Sequence, residues 1–337
     1  MNPGPLIIGL ASTSLNGAET ELLKHPAVGG VIIFSRNFSG PGQLKGLVAA
    51  IRAARDGELL IMVDQEGGRV QRLREGFTPL PPLAVLGRWH GQYPDRARDL
   101  AYRHGRVMAA EVLETGIDLS LAPVLDLDRG SAVIGDRAMA SDPDTVIDLA
   151  GWYIAGMADA GMACCAKHFP GHGSVVGDSH DEVVTDCRPF AEIADDLAPF
   201  ARLANRLSAV MMAHVVQTSR DELPAGYSPV WVREVLRGEL GFAGVVISDD
   251  LCMSGGASIG DVRARLDAAL AAGCDLALVC QAGPAAELVV ELGDEWPDCS
   301  AAVATLRGSA AFSLEEQLTV PEFRAWRHSL KQLAENR

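Results

Sequence analysis

Basic residues are scarce in this chain: 29 Lys and Arg stand against 44 Asp and Glu, giving a formal net charge of −15. Such a balance repels phosphate backbones and anionic lipid surfaces, which excludes nucleic acid and membranes as main partners. Paired cysteine motifs are missing as well. The seven cysteines are odd in number, contain no C-x-x-C spacing, and include Cys164, Cys165 and Cys280 in apolar runs. There a thiol behaves as a small hydrophobe, so a reducing compartment is expected and a disulfide framework is not. No apolar run approaches the ~20 residues that a membrane span needs. The opening Met1-Asn2-Pro3-Gly4-Pro5 lacks a basic segment, and Leu6-Ile7-Ile8-Gly9-Leu10 is too short for a secretory signal. The expected location is the cytoplasm. No Ser/Gly linker or low-complexity segment divides the chain either.

What is present is alternation. Short apolar runs fall near 6–10, 30–34, 59–63, 119–122, 162–166, 209–213, 244–248 and 275–279. Between them lie amphipathic stretches, clearest at 43–55, 95–115, 145–160 and 262–272. Strand and helix in alternation imply a mostly parallel sheet. Eight repeats predict an α/β fold of the closed kind, a single-domain (β/α)8 TIM barrel, with an open doubly wound sheet as the alternative. The 337 residues form one catalytic domain in this reading, with a closing helix over about 314–337.

A barrel collects its chemistry at the C-terminal ends of its strands. Asp64 ends the third run, Lys167 and His168 the fifth, His214 the sixth and Asp249 the seventh. These residues converge in space although they are distant in sequence. His214 is open to two readings, a pocket wall or a satisfied core histidine. The densest stretch is Lys167-His168-Phe169-Pro170-Gly171-His172-Gly173, followed by Asp178-Ser179-His180. Its Gly and Pro content suits a shaped loop.

That stretch resembles the signature of glycoside hydrolase family 3. So do Val63-Asp64-Gln65-Glu66-Gly67-Gly68-Arg69-Val70-Gln71-Arg72, Ile134-Gly135-Asp136-Arg137 and Ile247-Ser248-Asp249-Asp250-Leu251, in the family's order. Within the family, the chain resembles the single-domain bacterial β-N-acetylglucosaminidases. The resemblance implies Asp249 as nucleophile, His180 as general acid/base on a loop, and Asp178 as the partner of His180. It implies Asp64, Arg72, Arg137, Lys167 and His168 as sugar-binding residues, and His172 as a structural member of the loop. No metal and no cofactor are expected. The implied substrate is a small carbohydrate: GlcNAc linked β-1,4 to anhydro-N-acetylmuramic acid, with or without a stem peptide, in cell-wall recycling. A monomer is expected. One departure stands out, since the family's Ser-Met-Glu-Gly after the nucleophile is here Cys252-Met253-Ser254-Gly255.

Competing readings have separate consequences. A phosphorylase would also accept a neutral His in place of a carboxylic acid, because it would not repel phosphate. A non-catalytic sugar-binding protein on the same fold would leave Asp249, Asp178 and His180 without a task. A zinc hydrolase using His168, His172, His180 and Asp249 would meet the unwelcome charge of Lys167. A Lys167 Schiff-base aldolase would ignore the Asp-x-His pair.

Overall fold

The structure, a computed structural model, describes residues 2–175 and 184–336. Eight parallel strands form one sheet: β1 (Leu6–Gly9), β2 (Val28–Ile33), β3 (Leu60–Val63), β4 (Leu119–Ser120), β5 (Cys165–Phe169), β6 (Ala209–Met212), β7 (Val245–Asp250) and β8 (Leu276–Val279). Their hydrogen-bonded order is β4-β3-β2-β1-β8-β7-β6-β5. The remaining seam, between β4 and β5, is closed by the backbone that follows β4. Cys165 N–H donates to Ala122 O at 2.8 Å, and Leu125 N–H donates to Lys167 O at 2.7 Å. The expected barrel is therefore the observed one.

Strand alternation divides the apolar residues cleanly. Ile7, Ile32, Leu60, Met62, Cys165, Met211, Ile247 and Leu278 belong to the cluster inside the barrel. Their neighbours Ile8, Val31, Ile61, Ala166, Val210, Val246 and Val279 join the outer layer beneath the helices. Because both faces are covered, the strands read as continuous apolar runs. Val303 and Leu306 of the helix Ser300–Leu306 complete the inner cluster from the other end.

The helices Pro41–Ala53, Pro94–Leu113 and Pro143–Ala160 each begin with proline. Proline is preorganised for a first helical turn and loses no bond there. Two of these helices touch backbone to backbone. A Cβ placed on Gly105 would lie 2.2 Å from Tyr153 O, and one on Gly156 would lie 2.1 Å from Tyr102 O. The C-terminal segment forms two helices, Leu314–Thr319 and Pro321–Glu335. Arg327 Nε of the second reaches the buried Glu111 carboxylate at 2.7 Å, tying that segment to the barrel.

Strand β5 differs from its expected span. It begins at Cys165 and runs through Phe169, so Lys167 and His168 lie in the ladder, not beyond it. The proline and glycines that follow gave the loop reading. The backbone nonetheless stays paired with β6 through a register shift between Ala166 and Phe169. The Lys167–His168 and Phe169–Pro170 peptide bonds are both cis. Among the described residues no helix is long and apolar enough to cross a membrane.

Candidate active site

The inward-facing residues of β3, β5 and β7 step by two: Leu60 and Met62, then Asp64; Cys165, then Lys167; Val245 and Ile247, then Asp249. The rung above the apolar interior is thus charged. A cavity of about 620 Å³ opens there, lined by Asp64, Glu66, Lys167, Asp249, Phe34 and Cys280, among others. Arg72, Arg137 and His168 line it too. Register shifts in β5 and β7 let consecutive residues share this cavity, Lys167 with His168 and Asp249 with Asp250.

Arg72 arrives by a tight turn. Residues Gln65–Gly67 pair antiparallel with Val70–Gln71. Gly67 and Gly68 take φ of 105° and 58°, values that favour glycine. The turn folds Arg72 back beside Asp64, Nη2 to Oδ2 at 3.2 Å. Arg137 comes from the short turn Gly135–Arg137.

The charged groups form one network. Lys167 Nζ stands between Asp64 Oδ1 at 2.8 Å and Glu66 Oε1 at 2.5 Å. Arg137 grips Glu66 with two parallel bonds, Nε to Oε2 and Nη2 to Oε1, each 2.8 Å. Such bidentate pairing fixes a side chain in position as well as in charge. Burial would raise the Asp64 carboxyl, but Lys167 and Arg72 outweigh it and hold it well below the usual range. Glu66 behaves alike: burial opposes, Arg137 and Lys167 prevail, and its pKa falls to about 2. Burial would lower Lys167, yet Asp64 and Glu66 raise it. Asp64, Glu66 and Lys167 are therefore all charged at neutral pH.

His168 is oriented from behind. Its Nδ1 meets Asp126 Oδ2 at 2.6 Å, while Nε2 lies 3.4 Å from Arg137 Nη2. Asp126 Oδ1 accepts the His172 backbone N–H at 2.7 Å. Burial would raise Asp126, but His168 outweighs it and its pKa falls. Asp249 Oδ1 accepts the backbone N–H of Asp250 at 2.8 Å. Asp250 is a brace: its Oδ1 accepts the Cys252 and Cys280 N–H groups, each at 3.0 Å, joining the ends of β7 and β8. His214 lies off the cavity, fully buried and stacked on Tyr227.

Six of the expected residues, Asp64, Arg72, Arg137, Lys167, His168 and Asp249, thus meet in one cavity. Asp178 and His180 lie outside the described residues. The flanks of that segment, Val175 and Val184, pack with Ala213 and Val215 beside the end of β6. Sequence reasoning missed Glu66 and Asp126. Glu66 was findable, because it continues the step of two from Asp64. Asp126 carries no comparable signal, since it follows a strand through five residues of irregular backbone.

A model of the glycosyl hydrolase family 3 N-terminal domain matches residues 7–297. The chain belongs to glycosyl hydrolase family 3. Family relatives include a beta-hexosaminidase of Thiobacillus denitrificans, 49% identical over 92% of this chain and 88% of that one. Another, from Alkalilimnicola ehrlichii, is 53% identical over 82% of this chain and 80% of that one. Among solved structures, NagZ from Neisseria gonorrhoeae in complex with N-trifluoroacetyl-D-glucosamine superposes with a TM-score of 0.93 at 41% identity, over 99% of both chains. A family 3 β-N-acetylglucosaminidase from Paenibacillus sp. gives 0.83 at 30% identity, over 98% of this chain and 67% of that one.

Proposed function

We propose that this chain is a retaining exo-β-N-acetylglucosaminidase that removes terminal GlcNAc from peptidoglycan fragments such as GlcNAc-1,4-anhydro-N-acetylmuramic acid and its peptides. The observation that carries the reading is the Asp249 carboxylate, set in the wall of a cavity whose other walls supply charged donors and acceptors. The beta-hexosaminidase relatives and the glucosamine derivative bound by the gonococcal neighbour support the sugar.

The reaction follows from the groups. Asp249 attacks C1 of the sugar and forms a glycosyl-enzyme bond as the aglycone oxygen departs. His180, oriented by Asp178, gives that oxygen its proton. The same imidazole then takes a proton from water, and the oxygen attacks C1, expelling Asp249 with net retention. Asp64, ionised throughout, accepts from sugar hydroxyls, while Lys167, Arg72 and Arg137 donate to them. His168 contributes the remaining contact. Arg69, half-exposed on the cavity lining, is held by Asp136 at 3.5 Å and by the Val133 carbonyl. In this reading residues 1–337 act as one catalytic domain, monomeric and cytoplasmic.

The test is release of 4-nitrophenol from its β-N-acetylglucosaminide in phosphate-free buffer, wild type beside Asp249→Ala. Release by wild type and strong loss in the variant is expected. No release from folded wild type until phosphate is added would replace hydrolysis by phosphorolysis.

A further inference from the structure

The nucleophile's Oδ1 accepts the Asp250 N–H, so the placing of Asp250 bears on how the Asp249 carboxylate is oriented. The Asp250 carboxylate is braced to β8, as described. Its carbonyl has a different partner. His214 Nε2 lies 3.2 Å from Asp250 O, and the imidazole is fully buried.

The ring itself is clamped. It lies flat on Tyr227, with centroids 4.7 Å apart and planes within 6°. The Tyr227 hydroxyl is 3.2 Å from the same Nε2. At Nδ1, a Cβ on Gly226 would stand 3.1 Å away, so only glycine leaves the ring ordinary clearance. Gly226 is fixed in turn, because its N–H donates to Ala213 O at 3.0 Å. The Tyr227 hydroxyl also lies 2.6 Å from where a Gly256 Cβ would be, against the turn that follows the nucleophile.

We propose that His214 is a positioning residue: its Nε2–H holds the Asp250 carbonyl, and through Asp250 it aims the N–H that orients the Asp249 carboxylate. The proposal rests on Asp249 being the nucleophile. In this role Nε2 carries the proton, because a carbonyl oxygen can only accept, and Nδ1 is left without a hydrogen-bond partner among the described residues. Burial holds the imidazole below its ordinary pKa against the pull of Asp249 and Asp250, so the ring is neutral. A neutral ring adds no charge that would quench the nucleophile. Its contribution is geometric.

The distinguishing experiment compares His214→Gln with His214→Asn. A glutamine amide nitrogen reaches the position of Nε2, whereas the shorter asparagine stops near Nδ1. The readout is the rate at which a fluorinated GlcNAc donor labels the enzyme, beside the Kd for GlcNAc. Glutamine should label at close to the wild-type rate. Asparagine should label about 10–100-fold more slowly, the scale of a small misplacement of a reacting group, with the GlcNAc Kd little changed. Equal rates in the two variants, or a parallel loss of GlcNAc binding, would overturn the proposal. Imidazole nitrogen shifts of the wild-type protein give an independent check needing no variant: an Nδ1–H tautomer at His214 would also overturn it. Asp249→Ala serves as control. If that variant still turns over substrate, the functional reading fails and the role of His214 fails with it; an inactive Asp249→Ala beside equal labelling rates in the two His214 variants overturns the role of His214 alone.

Discussion

Replacing Glu66 by glutamine keeps the shape of the side chain and removes its charge from the centre of the site. Glu66 is 1% exposed and lies against Lys167 and Arg137, at 2.5 Å and 2.8 Å. Burial opposes its ionisation, and those two cations more than offset it, moving its pKa from 4.5 to about 2. A displacement of that size corresponds to about 3 kcal/mol of folded-state stabilisation, at about 1.4 kcal/mol per pH unit. Mutational experience with buried ion pairs gives a similar figure, about 3–5 kcal/mol when one partner is removed. The sign is fixed by linkage. A carboxyl whose pKa is depressed by folding stabilises fully above its unfolded value of 4.5 and loses that contribution as pH falls toward about 2. Urea unfolding at pH 7 should therefore find Glu66→Gln less stable than wild type by about 3 kcal/mol. Near pH 3 the difference should shrink to about 1 kcal/mol. A difference under about 1 kcal/mol at pH 7, as for an exposed pair, or an equal difference at both pH values, would refute the reasoning.

Other outcomes follow from the same geometry. Asp126→Asn weakens the charge-assisted bond at His168 Nδ1, 2.6 Å in length; KM should rise about tenfold, the effect of losing roughly 1.4 kcal/mol, with kcat less affected in steady-state assays. Gly156→Ala places a methyl 2.1 Å from Tyr102 O, and thermal unfolding should show a loss of about 1–3 kcal/mol, the range for overpacking. Exhaustive dialysis against chelator should leave turnover unchanged; activity restored only by added divalent metal would contradict the proposed chemistry. His180→Gln should lose most activity toward the 4-nitrophenyl glycoside and flatten the pH dependence of kcat/KM, and a retained bell-shaped profile would assign the acid/base role elsewhere.

The fold was legible because strands buried on both faces read as short apolar runs, and eight of them were spaced by helical segments. Asp64, Lys167 and Asp249 were legible for a related reason: each breaks an apolar run with a charge at its end. Strand β5 was misjudged by three residues because Pro170 and its glycines resemble a loop from its start, whereas pairing with β6 carries the strand through Phe169. His214 remained open in the sequence because the strand that precedes it fixes only its parity. Met212 and Val210 point outward, and His214 follows them into the layer behind the barrel. Asp126 could not be read at all, since its partner His168 is 42 positions away and the backbone between β4 and Asp126 is irregular.

The central claim is that Asp249 becomes covalently bonded to the sugar. The direct measurement is to label wild type with a fluorinated GlcNAc donor, quench, digest and locate the added mass by peptide sequencing. The account predicts one glycosyl unit per chain, on Asp249. An adduct on another residue, or turnover with no adduct and an inverted product, would contradict it.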